Sequence, residues 1–376
     1  MRILLVSSAY WPYPSGISEH VYHLAKHLTS RGHQVKILTT NYPSNWEDTP
    51  DDNLEIIRLG RVILIPVNKS YATFPFGFDI PFKVKKLLQE ERYDIIHVHG
   101  CYPPEIGFWA ICFSNAINCV TFHTVGFKGG NYIKHLGILL KRYQKKIHGR
   151  IAVSEIARTW AEPLFPGEYR IIPNGVDYER FSTKVVPLIA KDNDSFTILY
   201  LGRLDQRKGV LIAINAFAKI KTLLPNAKLL IAGKGPLEQT AKALVKRLNL
   251  EKYCQFLGYI KKQNLVACYK SADVFISPAL GGEAQGIVLL EAMAADCVVI
   301  ASDIEGYQEV IEHGKTGLLF KTGAADDLAD KLWTIATNNE LRNFLIRNSQ
   351  LQIKKYSWQN IVQQIENYYK ELIARG

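Results

Sequence analysis

No two cysteines in the sequence stand in a C-x-x-C spacing, and the six that occur (Cys101, Cys112, Cys119, Cys254, Cys268 and Cys297) lie mostly among apolar residues. Zinc ribbons and redox dithiols are set aside, and reduced, buried thiols in a cytoplasmic protein are expected. No apolar stretch reaches the roughly 18 residues needed to span a bilayer. The opening run, MRILLVSSAYW, is too short for the apolar core of a signal peptide and suits a first strand. Internal repeats and low-complexity tracts are missing as well. Acidic residues are in deficit, 35 Asp and Glu against 46 Lys and Arg, so the net charge is +11. That excess calls for an anionic partner, whether nucleic acid, a phosphorylated ligand or an acidic membrane face. No aromatic-basic platform accompanies it, which disfavours nucleic acid.

A chain of 376 residues exceeds what one core usually supports, so two domains are expected. Short β-rich runs alternate with helical patterns: RILLVSS, QVKILTT, DIIHVHG, NCVTFHT and GRIAVSE, then FTILYLG, KLLIAG, DVFIS and CVVIAS. Strands buried on both faces read this way, and their alternation with helices predicts two parallel α/β sheets of Rossmann type. The polar stretch 182–195 is the expected linker. The boundaries follow: a first domain over 1–183, a second over 184–357, and a last aromatic-weighted helix, 358–376, docking back on the first. The helix over 19–30 shows the stripe Val21, Leu24, Ala25, Leu28 and stops before Gly32. Ligands of such sheets bind at the carboxyl ends of strands, so two sheets facing each other define a cleft.

Several motifs fall at strand ends. In SPALGGEAQGIVLLEAMAADCVVIAS, Glu283 and Glu291 stand eight residues apart. On one unbroken helix they would be about 80° apart in azimuth and about 12 Å apart along the axis. Paired acids acting on one glycosidic bond sit about 5 to 9.5 Å apart, so this pair suits a long ligand gripped at two points. Gly286 precedes the run Ile287, Leu290, Glu291, Ala294, a helix start whose unengaged N–H groups favour phosphate. The plain alternative is two glutamates at the solvent-facing ends of a buried helix. LGRLDQRKG offers Arg203, Arg207 and Lys208 after the first strand of the second domain, fit to neutralise a diphosphate or merely to form a solvated turn. PSGIS places Gly16 in the first strand-to-helix turn. His123 ends the strand CVTFHT, and His97 and His99 share one face of DIIHVHG. The latter two could bind metal, yet no third ligand is visible, so core or cleft-wall histidines are expected.

Two basic amphipathic stretches remain. FKVKKLLQEER carries Lys83, Lys85 and Lys86; YIKHLGILLKRYQKKIHGR carries Lys134, Lys141, Arg142, Lys145 and Lys146 against Leu136, Leu139, Leu140, Tyr143 and Ile147. Such helices either lie on anionic lipid, at about 1 kcal/mol per basic residue, or expose a solvated basic face.

Together GEAQGIVLLEAMA, GRL-x-x-x-KG, IIPNGVD, PSGISEHVYHLAKHLTSRGHQV and the terminal YSW helix resemble the retaining glycosyltransferases of family 4, which have the GT-B fold. The resemblance implies that Glu283 touches the donor sugar and Glu291 the ribose of a nucleotide-sugar. It implies that Arg203 and Lys208 bind the diphosphate, that N–H groups at Gly16, Gly286 and Ile287 complete the phosphate cradle, that His123 lies by the sugar and that Ile260 packs the base. Within the family, VTFHT with Lys128, KIHGRIAVSEIARTW and FKVKK are similar to the bacterial phosphatidylinositol mannosyltransferases. That likeness implies GDP-mannose as donor, Mg2+ possible beside the diphosphate and no resident metal. It also implies an acceptor contact at Lys128, a phosphatidylinositol-type lipid or polyol acceptor, and peripheral attachment to the cytoplasmic membrane face through Lys83, Lys85 and Lys86. Three places differ from those enzymes: Ser15–Gly16 replaces paired glycines, Gln285 a phenylalanine, and Thr73 and Pro75 two arginines. Alternatives are a soluble family 4 transferase using a UDP-sugar, and a nucleotide-sugar epimerase of the same fold, which needs no acceptor.

Overall fold

The computed structural model describes residues 1–13, 15–43, 53–67, 70–125, 143–190 and 195–375. The chain forms two units, Met1–Gly175 with Trp358–Gly376, and Val176–Ser357.

The first unit is built on an eight-stranded sheet: β1 (Arg2–Ser7), β2 (Gln34–Asn41), β3 (Glu55–Val67), β4 (Ser70–Phe76), β5 (Ile95–His99), β6 (Ile117–Phe122), β7 (Gly149–Ala152) and β8 (Arg170–Ile171). Its order is β4-β3-β2-β1-β5-β6-β7-β8. Every pairing is parallel except β3 with β4. The antiparallel edge departs from the all-parallel expectation, and β3 and β4 have no counterpart among the predicted strands. The β3 run EIIRLGRVILIPV mixes charged and apolar residues, as suits a strand beside an edge, and lacks the continuous apolar signature of the central strands. Those central strands read as predicted: Ile3, Leu4, Leu5 and Val6 of β1, and all five residues of β5, are buried.

Helix Gly16–Ser30 follows β1, capped by the Ser15 side chain, which accepts from the Ser18 N–H. Its apolar stripe packs with Trp358, Ile361, Val362, Ile365, Tyr368, Tyr369 and Leu372 of the terminal helix Trp358–Arg375. Each such side chain contributes about 1.5–3 kcal/mol when fully buried. Arg31 also donates to Glu366 at 2.6 Å, and Arg170 to Glu371 at 2.6 Å.

The second unit carries β9 (Thr197–Leu201), β10 (Lys228–Ala232), β11 (Cys254–Gly258), β12 (Val274–Ser277), β13 (Val298–Ser302) and β14 (Leu318–Phe320) in the order β11-β10-β9-β12-β13-β14, all parallel. Helices cover both faces, over two clusters of buried apolar residues. The chain enters this unit at Val176, earlier than residue 184, because Phe181 of the short helix Tyr178–Ser182 is buried in its core. All six cysteines are free, and five are buried.

In each sheet the strand order reverses beside one central strand, between β1 and β5 and between β9 and β12. Loops leaving the carboxyl ends of such a strand pair diverge to opposite faces and leave room for a ligand.

Candidate functional site

At the second unit's reversal point, the loop after β9 and the loop after β12 are bound together. Gly209 has φ 73°, and a Cβ there would fall 1.8 Å from the carbonyl oxygen of Pro278. No other residue lets the loops approach so closely. The Leu280 N–H donates to the Arg207 carbonyl at 2.8 Å. Asp205, almost wholly buried, accepts from the Lys208 N–H at 3.0 Å and thereby caps the short turn Gln206–Lys208.

That cap aims two cations at one acid. Lys208 Nζ lies 2.8 Å from Glu283 Oε1, and the Arg207 guanidinium bonds the same oxygen. The Glu283 side chain is only 12% exposed, which sets aside a solvent-facing glutamate. Burial alone would raise its pKa, but Lys208 and Arg207 outweigh that and hold the carboxyl below its usual range. Arg203 does not join them; its Nε faces Asp205 Oδ2 at 3.6 Å. The sequence named Arg207 in the turn but placed Arg203 and Lys208 on the ligand, so the pairing of Arg207 with Glu283 is an addition.

Glu283 and Glu291 are not on one helix. The helix spans Ile287–Ala294 and begins at Gly286, whose φ is 84°. A Cβ at Gly286 would fall 2.5 Å from the Tyr307 ring, which is itself anchored by a hydroxyl contact of 2.8 Å to Ser277. The 12 Å helical spacing therefore does not describe the pair: Glu283 sits on the loop before the helix and Glu291 in its second turn. The Tyr269 hydroxyl donates to Glu291 Oε2 at 2.8 Å, a fixed orientation the sequence did not reveal. Burial, then Glu291, push the Tyr269 hydroxyl pKa well up, so it stays a proton donor. Between the two acids lie the N–H groups of the first helical turn at Gly286 and Ile287, which lack intrahelical acceptors. Ile260, after β11, packs partly buried against the second unit's core.

In the first unit the carboxyl ends of β1, β5 and β6 bring together histidines. His97 and His99 are both buried; His97 bonds Tyr369 and Thr121, each at 2.6 Å. His99 Nδ1 lies 3.0 Å from His123 Nε2, just past β6. The expectation of no third histidine here is corrected by His20, from helix Gly16–Ser30, whose ring centroid is 4.7 Å from that of His123 and 5.2 Å from that of His99. His20 sits one turn before Leu24 on the buried stripe, the signal that could have found it. Burial keeps all four neutral: His20 and His97 fall to about 3, His99 and His123 well below the ordinary imidazole range. Gly16 is the first residue of its helix and exposed.

Lys83, Lys85 and Lys86 lie exposed on helix Ile80–Glu90, whose other face buries Ile80 and Val84. Lys83 pairs with Asp79 at 2.7 Å and Lys86 with Glu90 at 3.6 Å. Beside them, Phe76, Phe78 and Phe82 are 53%, 90% and 75% exposed, an aromatic edge too apolar for an ordinary solvated face. Lys128, Lys134, Lys141, Arg142, Leu136, Leu139 and Leu140 lie outside the described residues. Lys146 does not belong to a free basic face, since its ammonium donates to the carbonyls of Cys112 and Ser114 at 2.7 and 3.2 Å. Thr73 and Pro75 lie on β4, with Thr73 buried. No helix among the described residues is long and apolar enough to cross a membrane.

Comparison with known proteins bears on this arrangement. The family model described as Glycosyltransferase Family 4 matches residues 14–180, and that described as Glycosyl transferases group 1 matches residues 185–352. Phosphatidyl-myo-inositol mannosyltransferase of Mycolicibacterium smegmatis is 33% identical over 378 residues, covering all of this chain and 95% of its own. The protein of that name in Mycobacterium leprae is 32% identical over 379 residues, with 100% and 98% covered. Among solved structures, a glycosyltransferase from Rickettsia africae superposes with a TM-score of 0.81 at 20% identity, over 100% of this chain and 99% of that one.

Proposed function

The chain belongs to the family 4 glycosyltransferases, enzymes of GT-B fold, and we propose that it transfers mannose from GDP-mannose to a phosphatidylinositol-type lipid with retention of anomeric configuration. The observation that carries the site is Glu283 bound by Lys208 and Arg207 at the strand-order reversal, immediately before a helix start. A nucleotide-sugar presents a diphosphate flanked by two polyols, and each part finds its complement on this surface.

In this reading the donor phosphates lie over the Gly286 and Ile287 N–H groups, and Arg203 and Lys208 neutralise them. As the sugar–phosphate bond breaks, negative charge grows on the leaving diphosphate, and cations already in place stabilise it without reorganisation. Glu283 reads the sugar hydroxyls as an acceptor-only group, kept ionised by its cationic neighbours. Glu291, steadied by Tyr269, accepts from the ribose hydroxyls, and Ile260 offers an apolar contact to the base. His123 is a neutral hydrogen-bonding ring fit to meet a sugar hydroxyl, and the Gly16 N–H opens its helix as a phosphate donor. A Mg2+ ion bound with the donor would supply further positive charge to the diphosphate beside Arg203 and Lys208. No side chain is assigned as nucleophile or general base; the departing phosphate is the group available to take the acceptor's proton.

The names of the full-length relatives support the lipid acceptor and the mannosyl group. The lysines Lys83, Lys85 and Lys86 beside exposed Phe78 and Phe82 support peripheral binding to an anionic membrane face. The test is a panel of GDP-mannose, UDP-glucose and UDP-N-acetylglucosamine, each with phosphatidylinositol vesicles, soluble saccharides or no acceptor. Mannosyl lipid from GDP-mannose supports the reading. Transfer only from a UDP-sugar to a soluble saccharide, or an epimerised donor without acceptor, refutes it.

A further inference from the structure

We propose that His20, His99 and His123 form a three-nitrogen site for a borderline-soft divalent d-block cation, zinc being the natural occupant, in the first unit. Three separate elements supply the rings, and one nitrogen from each lies within 4.8 Å of the others. His99 Nδ1 and His123 Nε2 are already 3.0 Å apart. Two nitrogens on one tetrahedral zinc, each bonded at about 2.0–2.1 Å, stand about 3.3 Å apart. A small spreading of that pair therefore makes two of the bonds.

The third ring is oriented for the role. His20 Nδ1 lies 3.0 Å from the side-chain oxygen of Asn174. An amide oxygen only accepts, so the His20 proton sits on Nδ1 and the lone pair on Nε2. That Nε2 is buried and meets no hydrogen-bond donor. Buried polar atoms left this way are rare in folded proteins. An outer carbonyl fixing the tautomer of an imidazole is the usual second layer of a metal site. On binding, whichever of His99 and His123 donates in their mutual hydrogen bond moves that proton to its other ring nitrogen. All three ligands stay neutral and no proton need leave.

Three neutral nitrogens favour zinc, cobalt, nickel or copper ions over Mg2+, which demands oxygen ligands. Three protein ligands also leave a position open for water or a hydroxyl oxygen. Zinc bound there competes with a sugar beside His123 and raises the apparent KM for the donor; this consequence alone rests on the function proposed above.

The experiment is equilibrium dialysis of chelator-treated protein against zinc chloride without donor, repeated with cobalt chloride to follow its visible absorption. One zinc per chain is expected, with affinity falling at least tenfold in His20→Gln and His99→Gln and about 10–100-fold in Asn174→Ala. His148→Gln and His313→Gln, at histidines outside the cluster, should bind as the wild type does. Absence of zinc binding, or binding indifferent to His20 and His99, overturns the site. If the cluster variants fail to fold, zinc-edge X-ray absorption of the wild-type protein decides. Three imidazoles at about 2.0 Å support the proposal, and an oxygen-rich shell refutes it.

Discussion

Lys208 holds Glu283 at 2.8 Å, and Arg207 bonds the same carboxylate oxygen, so one acid is shared by two cations. All three side chains are at most one-fifth exposed. Removing Glu283 leaves two cations without their shared anion in a poorly solvated place, and removing Lys208 costs Glu283 one of its two charge-assisted contacts.

Glu283→Gln and Lys208→Met should therefore each lower kcat/KM, by about 10–100-fold from the loss of a charge-assisted contact. The double variant should fall well short of the product of the two losses, since the residues act as a unit. A full multiplicative loss in the double-mutant cycle would show that the pair is not coupled.

Glu291 and Tyr269 divide differently. Glu291→Ala should weaken binding of the nucleoside diphosphate itself, by about tenfold or more. Tyr269→Phe keeps the carboxylate and loses only its orientation, so it should cost less. Calorimetric titration with the diphosphate measures both, and equal losses would contradict a direct ribose contact by Glu291.

The exposed face of helix Ile80–Glu90 predicts a lipid requirement. Wild-type protein should float with vesicles containing anionic lipid and not with neutral ones. Lys83/Lys85/Lys86→Ala should lose roughly 3 kcal/mol of that binding, at about 1 kcal/mol per residue. Phe78→Ala and Phe82→Ala should weaken it further without changing its salt dependence. Flotation that ignores lipid charge would remove the membrane proposal.

Glu105 predicts the pH dependence of stability. Its carboxyl is packed over Gly100, where an added Cβ would fall 2.2 Å from Oε2, and burial raises its pKa to about 8. Between the unfolded value near 4.3 and about 8, the native state holds one more proton than the unfolded chain. This group's contribution is thus complete at acid pH and is lost as pH rises through about 8, at up to about 1.4 kcal/mol per pH unit. Urea midpoints at about pH 5 and about pH 8 should show that decline in the wild type and a flatter response in Glu105→Gln. Parallel declines would show that the carboxyl is ionised in the fold.

Much of the architecture could be read from sequence because the central strands are buried on both faces, so their apolar runs are unbroken. The hairpin of β3 and β4 escaped notice because half-exposed strands alternate irregularly and a glycine, Gly60, interrupts the run. At the site, Glu283, Glu291, Arg207 and Lys208 are legible as motif residues, whereas which side chain pairs with which is not. The Arg207–Glu283 contact spans 76 positions and His20–Asn174 spans 154, distances over which local pattern says nothing. The helical spacing of the two glutamates failed because Gly286 adopts a positive φ and starts the helix between them. Only the folded loop shows that.

The most direct measurement is calorimetric binding of GDP-mannose and of UDP-glucose to wild-type protein and to Lys208→Met. Binding of GDP-mannose in preference to UDP-glucose, weakened about tenfold or more by the substitution, is the predicted result. Equal affinity for both donors, or GDP-mannose binding untouched by the loss of Lys208, would contradict it.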